Sequence, residues 1–283
     1  MIEDDKVTKI AIAGANGRMG IELIKQCLLS SDIELVEALV RSSSSVIGKN
    51  VDSLLDSLLD DSLLDNALQK SNLLCTSQSS PLKGSTQVLI DFTLPDNTLN
   101  NLKRCVEGDK ALVIGTTGFN TEQQTLINQA SSKIAILQAS NMSIGVNLTL
   151  ALLKQTATVL GADIKVEISE THHTHKKDSP SGTAITMGEV IANSNNKNLD
   201  QCIVIDDKLE LEPEAGKIKF NSIREGEVIG DHRVSFIMDD EVIEISHSAI
   251  NRKVFAKGAI EAANWLSDKE PGIYSMNDVL GLN

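Results

Sequence analysis

Aromatic residues are scarce in this 283-residue chain, which has one Trp, one Tyr and five Phe. Its core must therefore be aliphatic, and it has too few flat rings to stack on the bases of a single-stranded nucleic acid. A basic excess is lacking as well. The formal net charge is -13, from 39 Asp and Glu against 26 Lys and Arg, which repels nucleic acid and anionic lipid and makes any anionic ligand depend on a local basic pocket. The four cysteines, Cys27, Cys75, Cys105 and Cys202, lack the paired spacing of a zinc knuckle or a redox dithiol and read as reduced thiols. No apolar run reaches the ~18 residues of a membrane span. The start, Met1-Ile-Glu-Asp-Asp5, has neither the basic residues nor the apolar stretch of a signal peptide. The expectation is a cytoplasmic protein with neither a membrane nor a nucleic-acid partner.

The length favours two domains. In the first half, short aliphatic runs alternate with helical patterns: Lys9–Ala13, Glu34–Val40, Val88–Asp91, Ala111–Ile114 and Ile134–Leu137. Each is apolar enough to be covered on both faces, as parallel strands joined by crossover helices are. The fold class expected is α/β, a Rossmann-like doubly wound parallel sheet over residues 1–141. A helix over Asn147–Leu160, with apolar residues at 148, 152, 153 and 159, ends at Gly161. Thereafter Val166–Glu170, Glu227–Ile237 and Glu241–Ile245 favour extended structure, with Asp239-Asp240 at a hairpin turn, predicting a second, α+β domain over 142–251. A helix from Val254 to Leu266 then returns the chain to the first domain, completed by residues 252–283. Three copies of Ser-Leu-Leu-Asp within residues 53–65 fit a short amphipathic helix packed on the sheet, or one that binds a partner.

The first strand runs into Gly14-Ala15-Asn16-Gly17-Arg18-Met19-Gly20 and then a helical pattern. A strand, a glycine turn and a helix N-terminus let the backbone approach a pyrophosphate while the helix dipole favours its charge. Asn16 stands where the commoner fingerprint has glycine, and Asn tolerates the left-handed region that such a turn can require. At the end of the second strand an acid would bind the ribose hydroxyls of NAD, whereas Val40 followed by Arg41 and a serine run suits the extra phosphate of NADP. NADPH is therefore expected in preference to NADH. Gly115-Thr116-Thr117 and Ala139-Ser140-Asn141-Met142 follow the next apolar runs and are candidate walls of the nicotinamide pocket, since ligands bind beyond the carboxyl ends of parallel strands.

Residues 170–184, Glu-Thr-His-His-Thr-His-Lys-Lys-Asp-Ser-Pro-Ser-Gly-Thr-Ala, hold three of the five histidines and two lysines beside a turn that opens a helix. Histidine exchanges protons near neutral pH, and lysine and a helix N-terminus attract anions, so the segment points to proton transfer on a negatively charged substrate. The Ser181 hydroxyl and the N–H groups of Gly182 and Thr183 suit a carboxylate.

Taken together, these residues resemble the 4-hydroxy-tetrahydrodipicolinate (dihydrodipicolinate) reductase family of diaminopimelate and lysine biosynthesis, nearly end to end. The resemblance rests on Gly14–Gly20, Asp91-Phe-Thr93, Gly115–Phe119, Asn141–Asn147, the pattern E-x-H-H-x-x-K-x-D-x-P-S-G-T-A over 170–184, and Gly272–Leu280. It implies hydride transfer from NADPH or NADH to a cyclic dicarboxylate imine, with loss of the ring hydroxyl as water. It implies that His172 donates or accepts a proton, that Lys176 is a second donor and that His173 holds the substrate. It further implies an interdomain hinge at Asn141–Asn147 and a homotetramer built through the second domain's sheet. Val40 departs from the family, many of whose members carry an acid there, which counts against NADH.

Two other readings are open. A metal hydrolase built on His172, His173, His175 and Asp178 would place two lysines against a divalent cation, and the chain has no His-Glu-x-x-His, so no metal is expected. A nonenzymatic redox sensor could use the same nucleotide fold, and turnover of NADPH discriminates it.

Overall fold

In the computed structural model, residues 7–55, 72–205 and 213–282 are described. The chain divides into two compact units, Met1–Ser143 with Lys253–Gly281, and Ile144–Arg252. The first begins with β1 (Thr8–Ala13), α1 (Arg18–Leu29), β2 (Ile33–Val40) and β3 (Cys75–Ser77). It continues through β4 (Val88–Asp91), α2 (Pro95–Gly108), β5 (Ala111–Ile114), α3 (Thr121–Ala130) and β6 (Ala135–Gln138). The second unit comprises α4 (Ile144–Leu160), β7 (Lys165–His172), α5 (Gly182–Ser194), α6 (Leu199–Cys202), β8 (Ile203–Ile205), β9 (Ile218–Arg224), β10 (Asp231–Ile237) and β11 (Val242–Ser248). The chain then re-enters the first unit with α7 (Lys253–Leu266), β12 (Gly272–Tyr274) and α8 (Met276–Leu280).

The first sheet has the order β12-β6-β5-β4-β1-β2-β3 and every described pairing in it is parallel. It is buried on both faces. Ile10 and Ile12 of β1 join Val88, Ile90 and the α7 alanines Ala256, Ala259 and Ala263 on one side. Ala11 and Ala13 face the other way with Leu89, Leu112, Ile114 and residues of α2 and α3. This is why the strands read as unbroken apolar runs rather than alternating ones. From β1 the strand order runs outward in both directions, to β2 and to β4, so the carboxyl ends of β1 and β4 flank the topological switch point.

The second sheet, β11-β10-β7-β9-β8, is mixed: β10 pairs antiparallel with β7 and β11, and β9 pairs parallel with β7 and β8. Its buried face alternates along β7, where Val166, Ile168, Glu170 and His172 point inward. Val166 and Ile168 pack with Val234, Phe236, Phe220 and the α5 residues Ala184, Met187 and Ile191. Two residues further on, the same face turns polar.

Two details differ from the sequence expectations. The α4 stripe at 148, 152 and 159 faces outward, with Leu148, Leu152 and Val159 exposed, and the buried side is Val146, Leu153 and Ala157. A helix that is apolar almost all round gives periodicity little purchase on which side is covered. The strand expected from Glu227 begins only at Asp231, because residues 225–230 form a turn in which the Glu225 N–H donates to the His172 carbonyl at 2.8 Å. Most of the Ser-Leu-Leu-Asp repeat lies outside the described residues; its first copy begins in a short 3₁₀ turn, Val51–Leu54.

Candidate functional site

In the first unit, a cleft of about 610 Å³ opens at the switch point, lined by Gly14, Asn16, Gly17, Arg41, Ser43, Ser44, Ser45, Phe92, Thr93 and neighbouring residues. Its volume falls within the ~300–1,000 Å³ usual for small-molecule clefts. The glycine turn is shaped by two distinct demands. Gly14 has φ +72°, in the left-handed region, and a Cβ there would stand 3.0 Å from Thr93 Cγ2. Gly20, in the first turn of α1, has no room for a side chain, because a Cβ would lie 2.2 Å from the Gly14 carbonyl oxygen and 2.7 Å from Ala15 Cα. The start of α1 is thus pressed against the turn. The N–H groups of Arg18 and Met19, in the first turn of α1, have no acceptor within the helix, as at any helix start. An anionic dinucleotide fits these residues.

Asn16 does not use the left-handed region, since the only described non-glycine residues with positive φ are Asp109 and Asn196. Instead it is exposed and its Nδ2 donates to Ser44 Oγ at 3.4 Å, linking the glycine turn to the serine loop after β2. Arg41 is exposed on the cleft, while Val40 is fully buried in the core. The other expected wall residues divide. Gly115 is forced small by Phe92, whose ring would stand 2.3 Å from a Cβ. Thr116 is buried, accepting from the Thr93 N–H at 3.0 Å and bonding Thr98 Oγ1 at 3.0 Å, whereas Thr117 is exposed. Ala139 is half-buried and Ser140 exposed. Asn141 Oδ1 accepts from the Ser143 N–H at 2.9 Å, and Met142 is buried in the core. The fully buried Asp91 carboxylate organises the β4 end, accepting from the Thr93 N–H and hydroxyl at 2.8 and 2.6 Å and from Asn101 Nδ2 at 2.8 Å.

In the second unit, β7 ends at His172 and the segment turns away at once. The His173 N–H donates to the Val228 carbonyl at 2.7 Å and the Thr174 N–H to the Gly226 carbonyl at 3.1 Å. His172 is buried, and its Nδ1 bonds the carboxylate of Glu170, two residues back on the same face. That carboxylate also accepts from Arg224 Nη2 at 2.9 Å and from the Ser181 N–H at 3.3 Å. Burial works to raise the Glu170 pKa, but the hydrogen bonds from His172, Arg224 and Ser222 prevail and hold it well below the usual carboxylate range. His232 of β10 stands edge-on to His172, ring centroids 5.1 Å apart, with Nε2 bonded to Ser181 Oγ at 3.2 Å. Burial first, then the neighbouring His172, lowers the His232 pKa to about 4, so this imidazole is neutral at physiological pH.

Ser181 caps α5, its Oγ accepting from the Ala184 N–H at 3.2 Å, and is itself buried. Gly182 and Thr183 open the first turn of α5, and a Cβ at Gly182 would meet nothing within 4 Å, so an anion can come close to the backbone there. Lys176 pairs with Asp178 at 2.8 Å. His173 is drawn toward His175, ring centroids 6.3 Å apart. Among the described residues the grouping with metal-ligand spacing is Glu170, His172 and His232, whose ligand atoms lie within 4.8 Å of one another, not the His172, His173, His175 and Asp178 set of the alternative hydrolase reading. Arg224 already supplies the positive charge at Glu170 and opposes a second cation there. Glu170 lies in the signature segment, but Arg224 and His232 carried no signal, since each is a single polar residue in an ordinary strand far along the chain.

A doubly wound parallel sheet with a glycine turn at its switch point, joined to an α+β unit bearing a His-Lys loop, defines the dinucleotide-dependent oxidoreductase class of two-unit proteins. The sequence matches the family profiles for the N-terminus of dihydrodipicolinate reductase over residues 8–142 and for its C-terminus over residues 145–280. The chain belongs to the dihydrodipicolinate reductase family. It is 42% identical to the 4-hydroxy-tetrahydrodipicolinate reductase of Hahella chejuensis over 277 residues, covering 98% of this chain and 100% of that one. It is 45% identical to the enzyme of that name from Nitrosospira multiformis, covering 96% and 97%. Its fold matches that of the dipicolinate-bound dihydrodipicolinate reductase from Paenisporosarcina sp. TG-14, with a TM-score of 0.74 at 22% identity over 96% of this chain and 99% of that one.

Proposed function

We propose that this chain reduces 4-hydroxy-tetrahydrodipicolinate to tetrahydrodipicolinate, using NADPH in preference to NADH. The observation that carries this reading is the cluster at the end of β7, where the buried Glu170 carboxylate joins His172, Arg224 and the Ser181 N–H at the start of α5, in a chain that belongs to the family over nearly its whole length. The reduced nicotinamide supplies hydride. The reaction also consumes one proton and releases the ring hydroxyl as water, so the protein must manage protons beside a dianion. His172 and Lys176 move those protons, the N–H groups of Gly182 and Thr183 hold a carboxylate, and His173 contacts the substrate. Gly14 to Met19 hold the pyrophosphate. Arg41, on the same cleft, reads the ribose phosphate that distinguishes NADPH, and Val40 offers an NADH ribose no acceptor. Gly115, Thr116 and Thr117, with Ala139 to Met142, wall the nicotinamide.

The same reading carries a homotetramer assembled through the second unit's sheet. Its edge strand β11 exposes Val242 and Ile243, a surface suited to a second copy. Light scattering of the purified protein measures the assembly. The protein acts in the cytoplasm; no helix among the described residues is long and apolar enough to cross a membrane. The deciding experiment is steady-state kinetics with NADPH and NADH on enzymatically generated substrate. Turnover with a higher kcat/KM for NADPH is expected. Binding of dinucleotide without turnover would instead favour a redox sensor.

A further inference from the structure

A histidine that moves protons needs its two ring nitrogens to differ, and the sequence around His172 does not by itself say what makes them differ. The second unit supplies the means. Glu170 and His172 are alternate residues of β7, so both point to the same face, and the strand is held by ladders on both sides, to β10 and to β9. The Glu170 side chain is fully buried and its two oxygens are engaged by His172, by Arg224 and by the Ser181 N–H. An ionised carboxylate only accepts hydrogen bonds, so Nδ1 of His172 must be the donor. Nε2 is then the atom that gains or loses a proton. At that edge the protein makes room: Gly230 lies opposite, and a Cβ there would stand 3.0 Å from Nε2.

Resting on the reductase reading above, we propose that Glu170 is the positioning residue of His172, fixing the ring so that Nδ1–H faces the carboxylate and Nε2 faces the substrate, and stabilising the imidazolium that donates the proton. Through the Ser181 N–H the same carboxylate also holds the start of α5, where the substrate's carboxylate binds. One buried charge therefore sets both the proton donor and the anion site.

A solely structural role for Glu170, as the partner of Arg224, requires neither its place two residues before His172 nor the space left at Gly230. The other ionisable groups around His172 are Arg224 on β9, His232 and Asp231 on β10, His247 on β11, and Glu225, whose N–H donates to the His172 carbonyl. Arg224 disfavours the imidazolium. His232 stays uncharged, and its Nδ1 has no hydrogen-bond partner among the described residues. Glu170 is thus the carboxylate in direct contact that can favour a charged His172.

The test is Glu170→Gln, read in two ways. The first is kcat with saturating NADPH, set beside the Kd for NADPH. The variant should lose about 10- to 100-fold in kcat, at or below the low end of the ~10²–10⁴ that a general acid itself supplies, while the Kd for NADPH is unchanged. The second is ¹⁵N NMR of labelled histidines, which reads the protonation and tautomer of His172 without any substrate. Wild type should show a protonated Nδ1 in the neutral ring, and the variant a mixture of the two tautomers. An unchanged tautomer would overturn the proposal, whatever happens to kcat. The spectra are independent of what the enzyme reduces, so absence of turnover in wild type would sink the reductase reading and leave the positioning result standing or falling by itself. Should Glu170→Gln fail to fold, Glu170→Asp withdraws the carboxylate by one methylene and is read in the same two ways.

Discussion

Gly20→Ala sets two familiar effects against each other at the dinucleotide turn. In a helix Ala is favoured over Gly by about 1 kcal/mol, so the substitution would ordinarily stabilise α1. Here the added Cβ lies 2.2 Å from the Gly14 carbonyl oxygen and 2.7 Å from Ala15 Cα, both backbone atoms that cannot turn aside as a side chain would. Overpacking of this kind costs ~1–3 kcal/mol. The overlap is at the severe end, so the clash wins by about 1–2 kcal/mol, a fall in Tm of about 2–8 °C for a chain of this size. Relief requires the turn and the start of α1 to separate, which moves the N–H groups that face a pyrophosphate, and losing one charge-assisted hydrogen bond there should weaken NADPH by roughly tenfold or more. Differential scanning fluorimetry and a titration of NADPH fluorescence measure the two effects. Gly84→Ala is the control, because a Cβ at that exposed loop position meets nothing within 4 Å, and both readings should match wild type. A Gly20→Ala protein with unaltered Tm and NADPH affinity would refute the close-approach argument.

Arg41→Ala should raise the KM for NADPH roughly tenfold while leaving NADH nearly unchanged, the loss of one charge-assisted contact to a phosphate; an equal loss for both cofactors would show that Arg41 does not read it. His172→Gln and Lys176→Ala should each lower kcat by ~10²-fold or more with little change in cofactor affinity, and near-wild-type kcat in both would remove them from the chemistry. His232, buried and neutral, has its folded pKa depressed to about 4 from an ordinary 6.5, so the unfolded chain takes up a proton first as pH falls. Its contribution to stability is therefore complete above pH 6.5 and lost on the way down to about pH 4, at most ~1.4 kcal/mol per pH unit. Urea unfolding between pH 7 and 5 should show that loss, and His232→Gln should flatten it.

What the sequence reveals of this molecule depends on whether the relevant information is local. Val88–Asp91 is legible as a buried parallel strand because both its faces are covered, leaving an unbroken apolar run. Gly14 is legible because a positive φ is a demand made at one residue. The covered side of α4 is not, since Leu148 and Leu152 are as apolar as Leu153 and only the tertiary neighbours choose between them. The same limit applies to the polar cluster. Glu170 meets Arg224 across 54 residues, and Ser181 meets His232 across 51, so their association is created by strand register. In isolation His232 is the first inward residue of an alternating strand, followed by Val234 and Phe236. Asn16 shows the converse error, in which a local conformational argument gave way to a tether to Ser44 that no single-residue preference encodes.

The register of β7 bears on motion as well as on placement. Glu170 and His172 pair with Ser222 and Arg224 on one side, and Glu170 pairs with His232 on the other, so their amides lie in the middle of a sheet and can exchange with solvent only when the ladder itself opens. The ladder stops at His172, and Lys176 lies in the turn beyond, where its N–H closes a local bond to the His173 carbonyl at 3.1 Å. Deuterium uptake should therefore change abruptly within four residues, slow at His172 and fast at Lys176. Of the two proposed proton carriers, one closes a paired strand and the other stands in the turn that follows it.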